Sequence, residues 1–228
     1  MVRNHEIDVY LMQKIVGSTN TNFYTLGERI KGDIKSSGFG FDYAEEVAVQ
    51  FGDASEVAGT TISQNALAYA VRVGFTIPKA LALRLGAEIA GASGDDDTTD
   101  KKNNDFDNLY PTNHYLYGFT DDVNWSNMGA FGLNVSLMPI DKLKLAAEFW
   151  AYAFNKKDST AGNLDVTDNG TEINGKVNYA MSKNVNLEAA YVIRDAGDVA
   201  ATSYAGYGAI PADESSTFGY FQINVKFM

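Results

Sequence analysis

The chain has 228 residues, no Cys, 4 Pro, 21 Gly, 13 Tyr and 13 Phe, with a formal net charge of -11. Without cysteines there is no disulfide framework and no thiolate metal site. The acidic balance excludes a nucleic-acid binder, whose surface must neutralise phosphate.

No apolar run reaches the ~18 residues of a membrane helix. A transmembrane β-strand needs only ~9–11 alternating residues, and few Pro with many aromatics favour strands. Ten strands are predicted, over 5–16, 22–34, 39–52, 64–77, 80–91, 128–138, 142–154, 171–181, 185–195 and 216–228. The mark of each is that one parity is mainly apolar. The first three are the poorest. Glu28 interrupts the apolar face of the second and Glu45 that of the third, and both are expected near a membrane boundary, where a charge costs less.

The fourth is clearest: Leu67, Tyr69, Val71, Val73, Phe75 and Ile77 oppose Ala68, Ala70, Arg72, Gly74 and Thr76. The fifth repeats it, with Leu81, Leu83, Leu85, Ala87 and Ile89 against Arg84, Gly86 and Glu88. Phe131, Leu133, Val135 and Leu137 mark the sixth, and Leu143, Leu145, Ala147, Phe149 and Ala151 the seventh. Val185, Leu187, Ala189, Tyr191 and Ile193 mark the ninth. In the last, Phe221, Ile223, Val225 and Phe227 oppose Gln222, Asn224 and Lys226.

The polar parity carries Arg29, Lys31, Asp42, Glu46, Arg72, Arg84, Glu88, Lys144, Glu148, Lys176, Glu188 and Arg194. That is too much charge for a sandwich core. It reads as a water-filled lumen, with the Leu, Val, Phe and Tyr parity facing lipid. A soluble β-sandwich or lectin is the competing fold. Pro78-Lys79, Pro139-Ile140-Asp141-Lys142 and Ser182-Lys183-Asn184 are tight turns, whereas 53–63, 92–127, 156–170 and 196–215 are long polar loops. This alternation matches the periplasmic and extracellular rims of an outer-membrane barrel. Tyr43, Tyr69, Phe75, Phe149, Tyr191, Phe221 and Phe227 suit its aromatic girdles. The fold class is therefore all-β, an antiparallel transmembrane β-barrel.

The candidate sites follow from the lumen. Arg29, Lys31, Arg72, Arg84, Lys144, Lys176 and Arg194 form either a basic ladder for an anionic solute or cross-strand pairs with Glu46, Glu88, Glu148 and Glu188. Counting out from the Pro78 turn, Arg72 and Arg84 are expected at similar depth. Asp95, Asp96, Asp97 and Asp100 lack the glycine and terminal glutamate of a calcium loop, so they read as a solvated acidic run. No metal or cofactor is expected. The aromatic second half of the long loop is a candidate constriction, through Tyr110, Asn113, His114 and Tyr115.

The run Phe106-Asp107-Asn108-Leu109-Tyr110-Pro111-Thr112-Asn113-His114-Tyr115 resembles the signature of the alginate-export family of outer-membrane porins. The order from Asn127-Met128 to Leu145 fits it too. The resemblance implies a monomeric barrel of about eighteen strands, with an electropositive constriction that passes an anionic polysaccharide. The ten strands here would then be one single domain, 1–228, that is the C-terminal part of a longer protein. The opening residues Met1-Val2-Arg3-Asn4-His5-Glu6, which lack the apolar core of a signal peptide, fit that expectation. The function expected is a non-enzymatic channel in the outer membrane, bathed in lipid and working by passive diffusion. The alternative is a closed ten-stranded adhesin or rim-site enzyme, with Asp107, His114 and Asp121 as its candidate centre.

Overall fold

The computed structural model describes residues 2–97, 99–109, 118–120, 123, 125–156, 168–197, 201–202, 209–210 and 214–227. Its regular elements are strands: β1 (Val2–Val16), β2 (Thr21–Lys35), β3 (Gly40–Val57), β4 (Thr60–Ile77), β5 (Leu83–Ala92), β6 (Lys102–Asn103), β7 (Met128–Ile140), β8 (Leu143–Phe154), β9 (Asp168–Ala180), β10 (Val185–Asp195), β11 (Ala201–Thr202), β12 (Ala209–Ile210) and β13 (Ser215–Val225). The ten predicted strands are β1 to β5, β7 to β10 and β13. They pair in that order, each antiparallel to its neighbour in the sequence. β6 lies parallel to β4, and β11 pairs with β12 apart from the main sheet. Among the described residues β1 and β13 are the sheet's two edges.

Alternation decides which face meets which solvent. On β4, Leu67, Tyr69 and Phe75 are 46%, 40% and 46% exposed, while Ala66 and Ala68 on the other parity are 6% and 0% exposed. The same inversion holds for Leu85, Ile89, Phe131, Leu133, Ile173, Tyr191 and Ile193, all exposed, against buried Glu88, Glu172, Asn174 and Arg194. Apolar outside and polar inside is the reverse of a water-soluble sandwich.

Two aromatic levels bound the outward face. Phe39 stacks on Phe75 near the short turns, with Phe41 beside Tyr43, and Tyr24 stacks on Phe51 at the other end. Phe41 and Phe51 are ten residues apart on β3, about 33 Å along a strand. A tilt of about 40° reduces that to about 25 Å, the height of a lipid-facing band.

Three expectations need correction. Residues 53–63 do not form a long loop: β3 and β4 continue to Val57 and from Thr60, with Ala58 and Gly59 both left-handed (φ 50° and 76°) at the tip. Left-handed conformation at both central residues is what a two-residue hairpin needs. Above the membrane a strand needs no apolar face, so its polarity imitated a loop. Secondly, β5 starts at Leu83, and Leu81 and Ala82 have positive φ in the turn (56° and 50°). Thirdly, Glu28 and Glu45 do not sit at a boundary. Glu28 pairs in register with Val47, and Glu45 with Ile30 and Val71, midway between the two aromatic levels. On the outward parities of β2, β3 and β4 between those levels, they are the only charged residues.

Candidate functional site: a loop seated on a charged inward face

The inward face has tiers. Nearest the short turns, Arg84 reaches two strands sideways. Its Nε and Nη2 donate to both oxygens of Asp42, at 2.9 and 2.6 Å, and its Nη1 donates to Asn134 Oδ1 at 2.5 Å. The reach is possible because Gly74 lies beneath it: a Cβ there would fall inside the guanidinium. One tier up, Arg72 donates from Nε to Glu88 Oε2 at 2.5 Å, directly across β4 and β5. Tyr10 likewise lies over Gly27 to donate to Glu46 Oε1 at 2.8 Å, and Trp150 lies over Gly132.

Above these charges the side chains become small: Ala48, Ala66, Ala68, Ala90, Ala92 and Ala130 are all buried. The long loop sits on this floor. Ser93 turns the chain inward, accepting backbone bonds from Phe106 and Asn127, both at 3.1 Å, and donating from its hydroxyl to Asn104 O at 2.6 Å. Phe106 is then buried on the alanines, edge-on to Trp125 with 5.8 Å between ring centroids.

Two inward glutamines bind the loop backbone as a neighbouring strand would. Gln50 Nε2 donates to Asp107 O and Gln50 Oε1 accepts from Asp107 N, each at 2.8 Å. Gln64 Nε2 donates to Asp105 O at 2.8 Å and to Gln50 Oε1 at 3.0 Å. Lys14 pairs with the Asp107 carboxylate.

The loop is also held across the sheet, on β9. Buried Glu172 accepts from Phe119 N at 2.5 Å, Thr120 Oγ1 at 2.5 Å and Thr120 N at 3.4 Å. Gly118 makes this approach possible: its φ is 92°, and a Cβ there would strike Glu172. Lys176 places its ammonium 4.7 Å from the centre of the Phe119 ring.

All seven predicted cations lie on the inward parity, in four kinds of surroundings. Arg72 and Arg84 form the ion pairs above, and Lys31 pairs with Glu6 at 2.6 Å. Arg194 is fully enclosed near the long-loop end, donating to Asn169 O at 2.8 Å and Thr171 O at 3.3 Å over the Tyr152 ring. Arg29 and Lys144 make no ion pair among the described residues, and Lys176 contacts a ring rather than a carboxylate. Arg72 and Arg84 are not at similar depth. Arg84 pairs with Thr76, four residues nearer the turn than Arg72, because the Pro78 turn extends to Ala82.

Tyr110, Asn113, His114, Tyr115 and Asp121 lie outside the described residues. Asp107 pairs with Lys14. The acidic run caps its own turns: Asp97 Oδ1 accepts from Thr99 N at 2.9 Å, and Asp100 Oδ1 accepts from Lys102 N at 2.9 Å. Asp96 accepts from Lys156 Nζ at 2.9 Å, which holds its carboxyl below the usual aspartate value. The sequence reading missed Gln50, Gln64 and Glu172 because neutral or single polar residues on an inward parity look like any lumen lining. The alanine floor was the available signal.

A sheet with an apolar outward band, a charged inward face, short turns at one rim and long loops at the other is that of an outer-membrane β-barrel protein. The chain belongs to the alginate export family, whose profile matches residues 3–202. No curated protein matches it. Similar solved structures include outer-membrane expressed OmpT of Vibrio cholerae, 13% identical with a TM-score of 0.45, covering 89% of this chain and 60% of that one. The in-vitro folded form of that OmpT is 14% identical with a TM-score of 0.46, covering 96% and 63%. An anion-selective porin from Comamonas acidovorans is 11% identical with a TM-score of 0.47, covering 90% and 59%. The chain thus spans about three fifths of the length of these structures.

Proposed function

We propose that this chain supplies the constricted part of an outer-membrane channel that passes anionic solutes, alginate-like polysaccharide among them, by passive diffusion. The observation that carries the reading is the loop held on both sides of the inward face, by Gln50 and Gln64 on one and Glu172 on the other. Such a loop narrows the lumen just above the tier of charges. The cations that meet solute in this reading are Arg29, Lys144 and Lys176, since Arg72, Arg84 and Lys31 are engaged with carboxylates and Arg194 is enclosed. The working protein is a monomer whose barrel, of about eighteen strands, includes these ten as its C-terminal part. That β1 and β13 have no further strand beside them among the described residues supports that reading.

Planar-bilayer recordings of the full-length protein test it. The expected result is anion preference in the reversal potential under a salt gradient, with current blocked by alginate oligomers and not by neutral oligosaccharides. Replacing Arg29, Lys144 and Lys176 together by Gln should reduce both effects. Cation preference, or block that ignores oligomer charge, would overturn the reading.

A further inference from the structure

Where the far end of the loop meets β9, β10 and β13, the inward face holds a groove of about 420 Å³. Phe119, Lys176, Glu188, Phe218, Tyr220 and Gln222 line it. Among the described residues Lys176 is the one cation of that lining. The groove's carboxylate is turned away from it: Tyr220 donates its hydroxyl to Glu188 Oε1 at 2.5 Å. Lys176 pairs in register with Ala190 and Glu188 with Asn178, so the two charges are diagonal neighbours, yet they form no ion pair within 4.0 Å. Among the described residues the groove therefore offers an ammonium without a carboxylate partner, a carboxylate already supplied with a hydrogen-bond donor, and two phenyl groups.

We infer that this groove is a binding subsite for a single-ring carboxylate, its carboxylate on Lys176 and the flat face of its ring on Phe119 or Phe218. A volume of this order suits one small molecule and is too small for a run of polymer. An aromatic ring stacks on the face of an aromatic acid and packs against the apolar C–H face of a uronic acid, so those are the two sources of such a ligand. The inference rests on the channel reading only in taking this face as the lumen. A small acid retained here would dwell beside the constriction rather than traverse it unhindered.

The test is equilibrium binding to the full-length protein in detergent micelles, which needs no conductance. Benzoate, glucuronate, benzyl alcohol and glucose are titrated by calorimetry. The expected result is that at least one acid binds and its neutral counterpart does not. Lys176→Gln should weaken the acid at least tenfold, Lys176→Arg should restore most of the affinity, and Lys142→Gln, in an exposed turn, should leave it unchanged. Benzoate alone marks the aromatic source and glucuronate alone the sugar source. Phe218→Ala should weaken either. Failure of both acids to bind, equal binding of the neutral compounds, or indifference to Lys176→Gln would overturn the subsite. A protein that binds the acid but conducts no ions would instead overturn the channel reading and leave the subsite standing.

Discussion

Replacing Glu172 by Ala removes an acceptor that holds the far end of the loop. Its carboxylate, fully buried, accepts from Phe119 N and Thr120 Oγ1 at 2.5 Å each, with a weaker bond from Thr120 N at 3.4 Å. A hydrogen bond to a charged group is worth about 1.5–3 kcal/mol net, and leaving its donor buried without a partner costs about as much. Counting the two short bonds, detaching residues 118–120 becomes easier by roughly 3–6 kcal/mol, a shift of about 10²–10⁴-fold at 1.4 kcal/mol per tenfold. The near end remains tied through Gln50 and Gln64, so the loop should swing rather than leave. In single-channel recordings of the full-length protein, the expected result is a larger conductance or long-lived larger substates. Amide exchange at Phe119 and Thr120 should accelerate by a comparable factor, while that at Asp107 stays slow. Glu172→Gln, which keeps one acceptor oxygen, should be intermediate. Unchanged conductance together with unchanged exchange at Phe119 would refute the idea that Glu172 holds the loop in the lumen.

Gly74→Ala should destabilise the barrel about as much as Arg84→Ala, roughly 1–3 kcal/mol for donors and acceptors left unpartnered, and the double variant should add little, because both break the contacts of Arg84 with Asp42 and Asn134. Urea unfolding in lipid vesicles measures both, and full additivity would contradict the shared mechanism. Glu28→Leu and Glu45→Leu should each stabilise the protein in a bilayer by about 1–3 kcal/mol, since a charge facing mid-bilayer hydrocarbon is unfavourable by about that amount; a loss of stability would show that these carboxylates have a partner. Because Lys156 holds the Asp96 carboxyl below its ordinary value of 3.8, the folded state binds that proton less readily than the unfolded chain. The tie between the two extracellular loops should therefore be complete above about pH 4 and lost as pH falls through the lowered value. Hydrogen exchange near Asp96 should show that acid-induced loosening, and Lys156→Ala should abolish its pH dependence.

Most of the sheet was legible because its side chains obey one rule. Leu67, Tyr69, Val71, Val73 and Phe75 on one parity fix which way β4 faces, and β4 then fixes β3 and β5 through register. That rule loses force where a strand leaves the membrane. Ser55, Glu56, Thr60 and Thr61 are strand residues without an apolar face, and nothing in their pattern separates them from a loop. The outward parity also proved a poor guide to depth. Glu28 and Glu45 looked like boundary residues because a charge is cheapest there, whereas their depth is set by backbone pairing, which no single strand reveals. The charges of the inward face were found by parity, but their partners were not. Arg84 pairs with Asp42, two strands away, only because Gly74 clears its path.

The size of the inward side chains explains why the loop sits where it does. In the tier of Asp42, Gly74, Gly86 and Asn134, and in the next, of Ala44, Arg72, Glu88 and Gly132, the small residues lie under Arg84 and Trp150 and leave no free floor. Two tiers higher, Ala48, Ala68 and Ala92 stand in one register row, with Ala66, Ala90 and Ala130 beside them. Methyl groups there make a shallow apolar seat inside an otherwise polar wall, and Phe106, Trp125 and Met128 fill it. Gln50 and Gln64, at the upper edge of this seat, meet the backbone of the loop that Phe106 anchors. The height at which the loop sits is therefore written into the strands. The loop brings the aromatic anchor, and the change from charged to small inward side chains decides how deep that anchor can go.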